Sequence, residues 1–173
     1  MFFKQNDNFL TKDCKDYINN FILSSDFPYY LEQYAPSVKE KFLNHVIVSR
    51  VEERNNRPYQ NSFIYPEAIK IIECFFNKFN IKYSEIFRMC INLTYNNGSK
   101  GPIHQDHDFP HKQLLIYLND ADSESKTVIL DKSNKIIKKI TPKKFRGICF
   151  ENTPHYQYYP KKGERIVLIT TFK

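Results

Sequence analysis

From Phe87 onward, turn-forming residues interrupt the chain at short intervals, and this spacing most limits the folds open to it. The interruptions are Asn96-Asn97-Gly98, Asn119-Asp120, Ser133-Asn134, Pro142 and Lys162-Gly163. Between them lie segments rich in β-branched and aromatic residues, which predict strands over Phe87–Tyr95, Ile103–His107, Gln113–Leu118, Thr127–Leu130, Ile136–Ile140, Arg146–Phe150, His155–Tyr159 and Arg165–Phe172. Many short strands at close spacing build a sandwich, a jelly roll or a barrel.

The earlier part of the chain reads differently. Cys14, Tyr17, Ile18, Phe21 and Ile22 recur at helical spacing behind a Thr11 cap, with Leu10 placed as a staple. The stretch from Asp26 to Leu31 reads as extended, and Phe42–Val51 as a strand. Pro66 opens a second helix whose apolar stripe is Ala68, Ile69, Ile72, Phe75, Phe76 and Phe79. The expected class is therefore α+β, mainly β. One domain spans residues 1–173, with 1–88 as helical support and extra strands and 89–173 as the β core. A chain of this length can bury a sizeable core.

Composition excludes several classes. No apolar run reaches the length of a membrane span, and the N-terminus lacks the apolar stretch of a signal peptide, so a cytoplasmic location is expected. Cys14, Cys74, Cys90 and Cys149 form no CxxC pair and no disulfide framework, and read as buried, reduced thiols. The net charge of +7 is uneven: residues 126–173 hold 12 Lys/Arg against 3 Asp/Glu, or +9, and the rest holds 14 against 16, or −2. Because these lysines alternate with strand residues, a solvated surface is the simpler reading than a nucleic-acid tract.

Residues two apart on a strand share a face, so His104 and Asp106 would project together. His155 adds a second imidazole on a late strand of the same unit. Two histidines and one carboxylate on one side of an ion leave positions open, the arrangement of non-haem Fe(II) oxygenases. Ten residues beyond His155 stands Arg165, a cation that does not titrate and that matches a carboxylate bidentately. On Gln113–Leu118, Gln113, Leu115 and Tyr117 share the face assigned to the interior.

These pieces in this order resemble the double-stranded β-helix core of the iron(II)/2-oxoglutarate-dependent dioxygenases, most closely the prolyl 4-hydroxylase type. The matching segments are Gly-Pro-Ile-His104-Gln-Asp106, Leu-Leu-Ile-Tyr117-Leu-Asn, Pro-His155 and Gly-Glu-Arg165. The resemblance implies a ferrous ion held by His104, Asp106 and His155. It implies 2-oxoglutarate on that iron, its far carboxylate held by Arg165 and Tyr117, with Tyr95 also reaching the cosubstrate and ascorbate as an accessory reductant. It implies hydroxylation of a C–H bond by O2, with release of succinate and CO2, on a small-molecule or peptide substrate such as a peptidyl or free amino acid, proline among them. Two alternatives share this fold: a non-catalytic jelly-roll binding module with a relic metal site, and an oxygenase directed at nucleic acid. The last strand lacks the further arginine and asparagine positions of the nucleic-acid enzymes. A cupin-like site would carry extra, more closely spaced histidines.

If His155 and Arg165 lie on paired neighbouring strands and face the same way, the loop between them must be Lys161-Lys162-Gly163, ending in a left-handed glycine. Positive φ is therefore expected at Gly163. The remaining candidates have ordinary readings. His45 reads as a satisfied core or surface histidine, His107 faces away from His104, His111 lines the mouth or binds nothing, and Asp108 meets solvent. Tyr156, Tyr158 and Tyr159 pack on their strand. Arg57–Ile64 is a candidate lid.

Overall fold

A computed structural model describes residues 2–32, 42–95 and 98–173. The expected turn at Asn96-Asn97 lies outside the described residues. Ten strands form two antiparallel sheets: β1 (Phe3–Asn6), β2 (Tyr30–Glu32), β3 (Phe42–Val48), β4 (Ile86–Tyr95), β5 (Lys112–Tyr117), β6 (Thr127–Leu130), β7 (Ile136–Ile140), β8 (Gly147–Glu151), β9 (His155–Gln157) and β10 (Glu164–Phe172). The larger sheet has the order β1-β8-β5-β10-β4-β3-β2 and the smaller the order β7-β6-β9. This is the expected jelly roll, its large sheet backed by helices α1 (Lys12–Tyr17) and α2 (Tyr65–Phe79). None of the described helices is long and apolar enough to cross a membrane.

The helices form as their sequences dictate. Thr11 Oγ1 accepts from the Cys14 amide at 3.3 Å, capping α1, and the chain then continues as a π-helical turn over Ile18–Ile22. Proline sits in the first turn of α2, which ends at Asn80 in the left-handed conformation. The buried stripe of α2 is Ala68, Ile71, Ile72, Phe75 and Phe76; Ile69 and Phe79 lie at its margin.

Alternation along β5 divides the interior in two. Leu114, Ile116 and Leu118 pack under the helices. Leu115 and Tyr117 join Ile129, Ile148, Phe150 and Val167 between the sheets, as the parity of the segment predicts. Gly147 on β8 lets a helix approach closely: a Cβ there would lie 2.5 Å from the Phe75 ring and 2.9 Å from Phe9.

Two expected elements differ, and one strand was not expected. Residues 103–107 form no strand, because Pro102 lacks an amide donor and only His104 bridges a neighbour, exchanging two 3.0 Å bonds with His155. The strand expected to reach Val51 stops at Val48, and Val51–Glu53 forms a 3-10 turn. Strand β1, with three polar residues out of four, carries no readable alternation.

The N-terminal strand is tied down electrostatically. Arg146 donates to both oxygens of Asp7 at 2.8 Å, and Lys143 adds a bond of 2.9 Å. The Arg146 bond, opposed by partial burial and helped by Lys143, holds the Asp7 carboxyl at about 2. A carboxyl near 4 when unfolded and about 2 when folded contributes stability that is full above pH ~4 and is lost as pH falls toward ~2. Asp7→Asn is expected to cost about 1–2 kcal/mol at neutral pH, allowing for solvent screening. Urea unfolding of both proteins should show that difference shrinking between pH ~4 and ~2.

Candidate metal and oxoacid site

A cavity of about 410 Å³ opens between the sheets, lined by His104, Asp106 and His155 and also by Thr94, Gln157 and Arg165. One ligand atom from each of His104, Asp106 and His155 lies within 4.8 Å of the others. His104 is exposed at the mouth, while Asp106 and His155 are buried. The His104–His155 bridge, rather than a continuous strand, brings the two imidazoles together with ring centroids 4.4 Å apart.

The hydrogen bonds behind each group orient it. Nδ1 of His104 lies 3.0 Å from the Pro102 carbonyl, and Nδ1 of His155 lies 3.0 Å from that of Thr153. A carbonyl can only accept, so both rings carry the proton on Nδ1 and present the Nε2 lone pair. The Gln113 amide lies 3.3 Å from the same His155 nitrogen, and its Oε1 has no other partner. The amide nitrogen is the atom placed there; turning the amide over would bring Oε1 to the Nδ1 proton and give both groups a partner. Burial first, then His104, push His155 down to about 4 against the pull of Asp106, so the ring is neutral at pH 7, as a metal ligand must be.

Asp106 is held from its other side. Arg88 Nη1 lies 3.1 Å from Oδ1, Arg50 Nη2 lies 3.7 Å from the same oxygen, and Arg50 Nη1 donates to the backbone carbonyl at 2.6 Å. That leaves Oδ2 facing His155 Nε2 at 3.6 Å. Burial would raise this carboxyl, but His155, Arg88, His104 and Arg50 together hold it well below the usual carboxylate range.

Arg165 reaches the cavity by a route that corrects the expected pairing. Gly163 has φ +67°, as the glycine turn requires. Yet β9 and β10 do not pair: β10 lies between β5 and β4, and β9 pairs with β6 in the opposite sheet. His155 and Arg165 therefore face each other's sheet across the sandwich. The link is Gln157, on the His155 side of β9, whose Oε1 accepts from Arg165 Nη1. Thr127 Oγ1 accepts from Arg165 Nη2 at 2.9 Å and from the Tyr117 hydroxyl at 2.7 Å, and the guanidinium lies 5.3 Å from the Tyr117 ring centroid. These partners are all neutral. Among the described residues no carboxylate pairs with Arg165, and its buried Nε has no hydrogen-bond partner. A buried, unneutralised cation costs several kcal/mol. An anion in the cavity would offset that cost.

Tyr95 is elsewhere. Arg88, Asn92 and Thr94 of β4 line the cavity, so the alternate residue Tyr95 turns outward, 44% exposed. Thr94, its neighbour, lines the cavity instead. The other histidines follow their ordinary readings. His45 is buried between the Pro28 carbonyl and Ser62 Oγ, at 2.7 and 2.6 Å. His107 is buried between Glu52 and Thr171 on the far side of the loop, and Asp108 is exposed. Tyr156 and Tyr159 are buried and line the cavity wall, and Arg57, at the start of the candidate lid, lines the mouth.

No family model matches the sequence, and no curated protein matches it. Solved structures do share the fold. A Burkholderia pseudomallei oxidoreductase of the 2OG-Fe(II) oxygenase family superposes with a TM-score of 0.75 at 15% identity, covering 99% of this chain and 84% of that one. A Trichoplax adhaerens prolyl hydroxylase, in complex with a hypoxia inducible factor peptide fragment, gives 0.66 at 15% identity, covering 98% and 82%. A Pseudomonas putida prolyl-4-hydroxylase gives 0.63 at 13% identity, covering 99% and 92%. The chain thus has the fold of 2OG-Fe(II) oxygenases and prolyl hydroxylases.

Proposed function

We propose that this protein is an Fe(II)- and 2-oxoglutarate-dependent dioxygenase that hydroxylates a C–H bond of a peptidyl or free amino acid, with proline the first candidate. One observation carries the reading: the same cavity is lined by two imidazoles and a carboxylate within reach of one ion, and by a buried arginine with no carboxylate partner among the described residues. The shared fold supports the class, and the peptide complex of the Trichoplax enzyme supports a peptide substrate.

In this reading His104 Nε2, Asp106 Oδ2 and His155 Nε2 hold the iron, and the donor set of two imidazoles and a carboxylate suits Fe(II). Arg165, with Thr127, Tyr117 and Gln157 around it, holds the far carboxylate of 2-oxoglutarate. Iron and 2-oxoglutarate held there would supply the oxygen activation and C–H oxidation, with succinate and CO2 as coproducts. The chain orients its ligands through the Pro102, Thr153 and Arg88 contacts, and keeps water out with Leu115, Val167 and Ile169. No protein side chain acts as nucleophile.

Succinate release with Fe(II), 2-oxoglutarate and a panel of peptides and amino acids tests the proposal. Binding of metal and 2-oxoglutarate with no succinate from any panel member would favour a non-catalytic module. The support behind His155 is open to a separate test. Gln113→Leu removes one of the two polar groups at Nδ1 without changing charge, so Mn(II) affinity, read by calorimetry, should fall about tenfold, the lower end of the range for such partners.

A further inference from the structure

Cys14 and Cys74 are 60 positions apart in sequence, yet their sulfurs lie 3.8 Å apart where α1 crosses α2. A disulfide spans about 2.05 Å, so the sulfurs need to approach each other by less than ~2 Å to bond. We propose that this pair is a site of reversible oxidative modification, forming an intramolecular disulfide in the presence of a hydroperoxide.

The surroundings assign the order of events. Cys74 is half-buried, and peroxide reaches it first; Cys14 is buried. The Cys74 thiolate attacks the peroxide oxygen, the O–O bond breaks, and water leaves after protonation, giving the sulfenic acid. The Cys14 sulfur then attacks the Cys74 sulfur, an S–S bond forms, and a second water leaves with the Cys14 proton. Two thiols are oxidised by two electrons and one hydrogen peroxide is reduced to two waters. Burial pushes the Cys14 thiol up, with Cys74 adding to the effect, which suits a resolving partner rather than the first nucleophile. The other two cysteines are poor competitors. Both are buried; Cys90 donates to Asn92 Oδ1, and burial pushes the Cys149 thiol up to about 12.

The cross-link ties α1 to α2, the helices that back the large sheet, and constrains the unfolded chain across 60 positions. The test is a non-reducing peptide map of the wild-type protein. Reduced protein is desalted, exposed to hydrogen peroxide, alkylated and digested with trypsin. The expected product is Asp13–Lys15 joined to Ile71–Lys78, lighter by two hydrogens, separated by dithiothreitol, with Cys90 and Cys149 alkylated after denaturation. A rise of several degrees in Tm should accompany it, reversed on reduction and absent in Cys74→Ser. Recovery of Cys14 and Cys74 as alkylated thiols or as sulfinic and sulfonic acids would overturn the assignment, as would linkage to Cys90, Cys149 or a second chain. The wild-type map decides the matter even if the serine variant does not fold.

Discussion

His155→Ala is expected to abolish 2-oxoglutarate turnover and to weaken Mn(II) binding by well over 100-fold. Supporting partners of metal ligands are typically worth about 10–100-fold, so loss of a ligand should exceed that range. This variant is the cleanest of the three ligand replacements. His155 is neutral at pH 7, so its removal leaves no charge stranded. Asp106→Ala would also leave Arg88 and Arg50 without the carboxylate between them, and a loss of metal would be confused with a loss of stability. Calorimetric titration with Mn(II), alongside circular dichroism to check the fold, reads the effect. Unchanged affinity in a folded His155→Ala protein would remove this residue from the metal site.

Arg165→Met should have opposite effects on binding and on stability. Its guanidinium has only neutral partners, so a similarly shaped apolar side chain relieves a buried charge. Tm without cosubstrate should stay level or rise. Binding of 2-oxoglutarate should weaken by roughly 100-fold, about 3 kcal/mol, as expected when one member of a buried charge pair is removed. Arg165→Lys should recover only part of the loss, because an ammonium cannot match a carboxylate through two parallel bonds. A structural role alone predicts the reverse pattern: a fall in Tm in both variants and little change in 2-oxoglutarate affinity.

The candidate site was legible in the sequence where its geometry is local. His104 and Asp106 are two apart, and their side chains do converge, although a loop rather than a strand presents them. The interior face of β5 followed from alternation, and Gly163 from turn chemistry. The failures are non-local. Tyr95 was assigned by its distance in sequence from His104, but the pleat of β4 turns it outward while Thr94 lines the cavity. The pairing of His155 with Arg165 assumed a hairpin, whereas β9 and β10 lie in opposite sheets. Gln157 could have been found from its parity with His155. Arg50, Arg88 and Thr127 could not, since each reaches the site through tertiary packing that no short-range pattern encodes. The contact between Cys14 and Cys74 is of the same kind: two helices of ordinary composition place scattered thiols side by side.

The most direct measurement is a crystal structure of the protein grown with Mn(II) and 2-oxoglutarate, with the ion located by its anomalous scattering. The account predicts one ion bound by His104, Asp106 and His155, and an oxoacid whose far carboxylate meets Arg165 in the same cavity. An ion bound elsewhere, or 2-oxoglutarate that leaves Arg165 without a carboxylate, would contradict it.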